Sequence, residues 1–316
     1  MRPQWRARSI RLAKRLRRFL PHDVFRKLYG WGRLGYLPNY RHPHTFNEKT
    51  AWWIRHHHDP RLSERADKLL VRDFVASTTP WVRLPQVYAV SEDAASFEFE
   101  RLPEVSVLKT NHAWHQVQVL RRPFDVATVR ALAAKWLERP YGSPEWEWHY
   151  LPIRRRLFAE QHLGGPDAVS PPDYKVMVLN GRAAYVWVYL GRGNSLRRVV
   201  FDRDWRLVEV YRPTSLGGPP DLVEPGLHPP RPSRLADLLR AAEALADDFP
   251  FVRADFYLVD GEIYFGELTF FPAGGYVEFW PLSYDRQFGD ELDVGNVSVR
   301  RRFGHRRGRH RDGTER

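Results

Sequence analysis

Residues 251–275, FVRADFYLVDGEIYFGELTFFPAGG, constrain the fold more than any other stretch of the chain. From Val252 to Val259, β-branched and aromatic residues stand between polar ones, as in a strand. Asp260-Gly261 is a tight-turn signal. Glu262 to Phe271 reads as the returning strand, and Pro272 to Gly275 stops the sheet.

Strand side chains alternate, so Arg253, Asp255 and Tyr257 share one face. Ile263, Phe265, Glu267 and Thr269 share a face of the return strand. Whether the two polar sets meet depends on the loop. A two-residue loop at Asp260-Gly261 pairs Tyr257 with Tyr264 and separates Asp255 from Glu267. A three-residue loop, Val259 to Gly261, pairs Arg253 with Glu267 and makes the carboxylates co-facial. Two carboxylates and an arginine on one face are costly to bury without partners. They read either as a solvated face with an Arg–Glu cross-strand pair or as a Mg²⁺ site with a phosphate-facing arginine.

A length of 316 residues with 43% hydrophobic content supports one or two globular domains. Cysteine is absent, which excludes disulfides and thiolate chemistry. No apolar run is long enough to span a bilayer, and no apolar signal segment follows the basic start. A cytoplasmic protein is therefore expected. The net charge of +12 is concentrated at the ends, with +8 in residues 1–20 and +6 in residues 300–316. The remainder is near neutral, so the folded part is not a basic platform and nucleic acid is the least favoured partner. The seven lysines, Lys14, Lys27, Lys49, Lys68, Lys109, Lys135 and Lys175, stand against 43 arginines. In so arginine-rich a chain a retained lysine suggests a role that suits a compact point charge.

Residues 5–20, WRARSIRLAKRLRRFL, predict a basic amphipathic helix. It suits an anionic membrane surface or an acidic partner, or else is a solvated arm. Pro21 ends it, and YGWGRLGYLPNYRHP reads as an aromatic-rich loop. Thr45 and Glu48 form a capping box for a helix over 46–58. His56, His57 and His58 point about 100° apart on that helix and cannot share a metal ion. Ser63 is expected to cap a second helix, Glu64 to Ala76, carrying Asp67, Lys68 and Arg72. Strands are expected at 84–90, within 104–120 on either side of a loop, and at 154–163. An amphipathic helix is expected at Asp125–Leu137. Residues 173–190 read as a hairpin around Asn180-Gly181. Further strands at 198–201 and 206–211 precede a Pro/Gly-rich loop at 214–232. A helix capped by Ser233 then runs to about Asp248. Mixed strands and helices give an α+β or α/β class.

Several of these stretches resemble, in order, the TupA-like branch of the ATP-grasp superfamily, associated with teichuronopeptide and other surface-polymer biosynthesis. They are TFNEKTAWW (45–53), ADKLLVRDFV (66–75), VLKTNH (107–112), FAEQHL (158–163), DYKVMVLNGR (173–182), the 251–275 hairpin and YDRQFGDELDV (284–294). The resemblance covers about residues 40–294. It implies an ATP-grasp fold, two α+β subdomains gripping a nucleotide. The expected layout is a basic N-terminal helix and linker (1–40) and a domain at 41–294, with a lid at about 84–163 and a C-terminal subdomain at about 164–294. A basic disordered tail (295–316) follows. The implied chemistry is ATP- and Mg²⁺-dependent activation of a carboxylate acceptor as an acyl phosphate, in surface polysaccharide or peptide-polymer biosynthesis.

The resemblance implies roles residue by residue. Lys109 faces the nucleotide phosphates. Glu160 to Leu163 form the hinge, with backbone groups of Gln161 and Leu163 at the adenine edge. Asp173 and Lys175 face ribose and phosphates. Asp255 and Glu267 hold Mg²⁺, with Thr269 where many ATP-grasp enzymes carry an asparagine ligand. Arg253, with Lys175, stabilises the transferred phosphoryl group. Asp67, Lys68 and Arg72 belong to the acceptor-site wall. Co-facial carboxylates then require the three-residue loop with Gly261 at positive φ.

One departure concerns the loop after the Lys109 strand, NHAWHQV (111–117), which lacks the glycine usual there. Glycine lets backbone N–H groups approach phosphate closely. His112 or His115 binding phosphate, a rigid aromatic loop packed on the Trp-rich segment 146–148, and a nucleotide- or polymer-binding module without turnover are the alternatives.

Overall fold

The hairpin forms, but by a third route. In a computed structural model of the chain, strand β9 (Phe251–Val259) returns as β10 (Glu262–Thr269) through the two-residue turn Asp260-Gly261, not the expected three-residue loop. Asp260 and Gly261 have φ of 51° and 76°, the left-handed pair of a tight hairpin turn. Tyr257 pairs with Tyr264 and Phe256 with Phe265, the register that would separate the carboxylates. Gly266 then bulges out of the ladder, and Glu267 pairs with Asp255. The extra residue reverses the face of everything after it.

The structure describes residues 4–143, 146–164, 171–191, 196–211 and 228–295. The tail beyond 295 and most of the 214–232 loop lie outside them. Two antiparallel sheets organise the molecule. The larger has the order β10-β9-β5-β6-β7-β8, with β5 (Asp173–Leu179), β6 (Arg182–Leu190), β7 (Arg197–Asp202) and β8 (Leu207–Val208). One of its faces carries Val176, Val178, Val252, Ala254 and Phe256. They are buried in the same core as Leu238, Ala242 and Leu245 of helix α7 (Leu235–Ala246). Ser233 does not cap α7; the N-cap position is Arg234, without a side-chain cap.

The smaller sheet has the order β1-β4-β2-β3, with β1 (Val87–Ser91), β2 (Val105–Thr110), β3 (Val117–Arg121) and β4 (Leu157–Gln161). Leu108, Leu120, Leu157 and Ala159 bury one face with helix α6 (Val126–Glu138). Asp125 caps α6 through the Ala127 N–H. The segment that leads into β1 is tied to β10 of the larger sheet, where the Arg83 N–H donates to the Ile263 carbonyl at 2.8 Å and the Phe265 N–H to the Arg83 carbonyl at 2.9 Å.

The first part of the chain is helical. Helices α1 (Gln4–Leu16) and α2 (His22–Leu34) pack as a hairpin. α2 takes in part of the stretch read as a loop. Glycine in a helix costs about 1 kcal/mol relative to alanine. Here Gly32 leaves room for α1: a Cβ would lie 2.6 Å from Ile10 and 2.8 Å from the Ser9 hydroxyl. Gly35, at φ 88°, ends the helix. The capping box of α3 (Phe46–His56) forms with both bonds. The helix expected over 64–76 is instead two, α4 (Arg61–Ala66) and α5 (Val71–Thr78), and Ser63 lies inside the first. The Asp67 carboxylate stops α4 by accepting from the Leu69 and Leu70 N–H groups at 2.8 and 3.2 Å. Asp residues compete in this way with helix hydrogen bonding. Helix α8 (Ser283–Glu291) packs on α3.

Candidate functional site

The polar face of the larger sheet is built by register. Glu267, Asp255, Lys175 and Trp187 stand in one cross-strand row. Arg253, two residues from Asp255, shares that face. Its guanidinium forks onto Asp255, Nε to Oδ1 at 2.7 Å and Nη2 to Oδ2 at 2.8 Å. Nη2 also donates to Glu267 Oε1 at 3.0 Å. Lys175 is buried between Asp255, to which it donates, and Asp173 Oδ2 at 3.0 Å.

Lys68 enters from the break between α4 and α5. Its ammonium donates to the Ala113 carbonyl at 2.9 Å and lies 3.7 Å from Glu267 Oε2. Lys109, from β2, is paired with Glu160 of β4. Lys68, Lys109, Lys175 and Arg253 therefore face Glu160, Asp173, Asp255 and Glu267 in one closed ionic cluster.

The cluster's electrostatics follow from burial against neighbouring charge. Burial pushes the Glu267 carboxyl up, but Lys68, Arg253, Lys175 and Lys109 outweigh it and hold Glu267 down at about 2. Burial pulls Lys175 down, and the Asp255 and Asp173 charges more than reverse this. Lys68 stays lowered by burial, because its partner Glu267 is farther away.

Above this cluster lies the second face of the smaller sheet. Its register aligns Val90, Phe158, Lys109 and Val117 in one row, with Glu160, Val107 and Val119 in the next. Val90, Val117 and Val119 are exposed. An apolar sheet face thus surrounds the Lys109–Glu160 pair, whose charges are felt by Lys68 of the cluster. At its margin the Gln161 N–H donates to the Gln86 carbonyl at 2.8 Å, so that donor is committed, and Leu163 is half-buried just beyond the strand.

The residues expected in an acceptor wall divide. Lys68 joins the ionic cluster. Asp67 is buried and holds the loop architecture: it accepts from Asn111 Nδ2 at 2.8 Å and pairs with Arg156 at 3.3 Å. Arg72 donates to the Pro85 carbonyl at 2.7 Å. Asn111 completes the support, accepting the Arg156 N–H at 2.7 Å and donating to the Arg154 carbonyl at 2.9 Å.

Among the described residues the ring contacts of Trp146 and Trp148 are to Phe25, Tyr29, Tyr276, His58, His149 and Phe271 rather than to Trp114. Trp114 is 56% exposed and lies over His115, whose φ is 65°. His112 is buried, and burial lowers it to about 4, so it is neutral at physiological pH. A neutral, enclosed imidazole can offer a phosphate a hydrogen bond but not a charge. Backbone oxygen from this loop does reach the site, through Ala113 and Lys68.

Tyr141, Glu147 and Tyr150 supply a wall that sequence reading missed. Tyr150 is buried and feels the charges of Glu267, Glu147 and Arg253. Tyr141 packs edge-on against Tyr150, ring centroids 5.0 Å apart. Burial raises Glu147 to about 7. Only the density of aromatics in this stretch could have drawn attention to it.

Asp255 and Glu267 fit a Mg²⁺ ion that arrives with phosphate oxygens. They are co-facial hard donors, and the Thr269 hydroxyl lies 3.5 Å from Glu267 Oε1. They do not form a self-sufficient cage. Among the described residues no three His, Cys, Asp or Glu side chains group to hold a metal. Mg²⁺ commonly uses one or two carboxylates with substrate phosphates. Of the two, Glu267 has the more open oxygen, since cations occupy both oxygens of Asp255.

Solved structures similar to the chain include three, of each of which it spans about half. N5-carboxyaminoimidazole ribonucleotide synthetase, as an ADP complex, is 17% identical over 70% of this chain and 50% of its own, with a TM-score of 0.41. D-alanine–D-alanine ligase from Bacillus anthracis, complexed with ATP, is 12% identical over 66% and 56%, with a TM-score of 0.41. L-amino acid ligase from Bacillus licheniformis is 14% identical over 67% and 42%, with a TM-score of 0.38. No curated protein matches. The family described as TupA-like ATPgrasp matches residues 48–293, which include both sheets and every residue of the ionic cluster. The chain belongs to the TupA-like ATP-grasp family, and its paired antiparallel sheets with flanking helices are an α+β ATP-grasp fold.

Proposed function

We propose that the protein is an ATP- and Mg²⁺-dependent ligase or transferase that activates a carboxylate acceptor as an acyl phosphate, in surface polysaccharide or peptide-polymer biosynthesis. The observation that carries this reading is the juxtaposition of an apolar sheet face with four buried or half-buried cations. A nucleotide has the same two halves. Its base suits the Val90, Val107, Val117, Val119 and Phe158 face, with the Gln161 carbonyl and Leu163 N–H at the base edge. Its phosphates suit Lys68, Lys109 and Lys175, replacing carboxylate partners as counter-charges.

Asp255, Glu267 and Thr269 would hold the Mg²⁺, which when bound neutralises phosphate charge. Arg253 is aimed along the same face and would meet charge that develops on the transferred group. In this reading the acceptor carboxylate oxygen bonds to the γ-phosphorus and the bond to the bridging β–γ oxygen breaks, releasing ADP. An amine then adds to the acyl carbon, inorganic phosphate leaves, and the amine proton passes to solvent.

The test is ADP release against a panel of uronates, sugar acids and amino acids, after Mg²⁺-dependent ATP binding has been measured by titration. Acceptor-dependent release supports the ligase. The glycine-free loop 111–117 with neutral His112 favours a second reading, a nucleotide- or polymer-binding module. That reading predicts Mg·ATP binding with no ADP release across the panel.

A further inference from the structure

Helix α1 is a preformed surface rather than a loose arm. Its inner side is fixed on α2: Ala13 is buried, and Arg6 donates to the Gly32 and Arg33 carbonyls at 3.2 and 2.6 Å. α2 is in turn held to the body. Arg26 lies 5.0 Å from the Tyr40 ring centroid and 5.7 Å from that of Trp146, and the Tyr36 hydroxyl donates to Asp285 at 2.7 Å.

The outer side has a different chemistry. Arg8, Leu12, Arg15 and Phe19 recur at helical spacing through α1 and the short turn after it, and all are exposed. Leu12 is 56% and Phe19 72% accessible. Arg11, Lys14, Arg17 and Arg18 are also exposed around them. No acidic residue precedes Asp23, and Asp23 is paired with Arg55.

We propose that this outer face docks on an anionic lipid surface. Cations alone would suit any polyanion. Two large apolar side chains within the cationic stripe distinguish a membrane, because they can enter the boundary between headgroups and acyl chains while arginines remain among phosphates. The charged sugar–phosphate backbone of a nucleic acid gives such apolar anchors no partner. Among the described residues no helix is long and apolar enough to cross a membrane, so the contact would be peripheral. The surface is independent of the nucleotide reading, and each can fail without the other.

The test is co-sedimentation of the full chain with vesicles of phosphatidylcholine, with and without phosphatidylserine. Binding is expected only with the anionic lipid and should weaken as salt rises. The triple variant Arg8→Gln/Arg11→Gln/Arg15→Gln should bind on the order of 10²-fold more weakly, at roughly fivefold per cation. The variant Leu12→Ser/Phe19→Ser should also lose binding at unchanged charge. All five positions are exposed, so melting temperatures should match the wild type and exclude misfolding. Equal vesicle binding by either variant overturns the proposal. So does a wild type that ignores anionic vesicles at low salt but binds double-stranded DNA.

Discussion

Glu267 faces Asp255 across β10 and β9 because Gly266 leaves the ladder between Phe265 and Glu267. The turn itself sets the opposite register. One bulged residue therefore carries the polar face of the candidate site, and the backbone is tight there. A Cβ at Gly266 would lie 3.0 Å from the Asp255 carbonyl oxygen and 3.3 Å from the Tyr257 ring.

Gly266→Ala should accordingly lower stability by about 1–3 kcal/mol, the usual range for overpacking, measured by chemical denaturation. Deleting Gly266 tests the register directly. It should turn Glu267 to the other face and remove Mg²⁺-dependent ATP binding. A deletion variant that titrates Mg·ATP like the wild type would disprove the role of the bulge.

Two lysines of the cluster should behave differently. Lys175 sits between two buried carboxylates, so Lys175→Ala should destabilise the ligand-free protein by about 3–5 kcal/mol. Lys109 is more open, and Lys68 and Arg72 remain near its partner Glu160. Lys109→Ala should cost little stability yet weaken ATP binding by about 1.5–3 kcal/mol, the range for a charged hydrogen bond. Thermal melting and ATP titration of both variants read the contrast.

Much of this was legible in the sequence. Strand alternation and the Asn-Gly and Asp-Gly turns predict both central hairpins, and the Thr45–Glu48 box predicts the start of α3. The order of the family's stretches brings Lys109, Glu160, Lys175, Arg253, Asp255 and Glu267 together before any coordinates do. Three features escaped because local signals compete with tertiary ones. Gly266 is an isolated glycine in a strand pattern, which signals a bulge, but the turn offered another explanation of the same register. Gly30 and Gly32 read as loop punctuation, although both lie in α2, where Gly32 admits α1 and Gly30 admits Pro38 and Tyr40. Asp67 lies in a helical pattern, yet its pull on the Leu69 and Leu70 N–H groups breaks the helix and delivers Lys68 to the site.

Glu147 should give the fold a pH signature. Burial raises its carboxyl from 4.5 to about 7. Between these values the folded state holds a proton that the unfolded chain has lost, so stability from this residue falls as pH rises through the window. Glu147→Gln removes the titration. Its melting temperature relative to wild type should climb from pH 4.5 to pH 7 and level off above. A constant difference would mean that the carboxylate is already ionised at acid pH.

Arg253 decides how the site works. Its planar fork bonds both oxygens of Asp255 and one of Glu267. A lysine keeps the charge but cannot reproduce the fork. Arg253→Lys therefore leaves no uncompensated carboxylate pair, and the fold and Mg·ATP affinity should change little. If the guanidinium acts mainly on charge developing during phosphoryl transfer, turnover should fall by about 10²–10³-fold, the range for losing one preorganised donor. Acceptor-dependent ADP release at saturating ATP, set beside ATP titration of the same variant, separates the two effects. Equal losses in affinity and turnover would place Arg253 in ground-state binding. Unchanged turnover would leave it as the counter-charge that keeps Asp255 and Glu267 on one buried face.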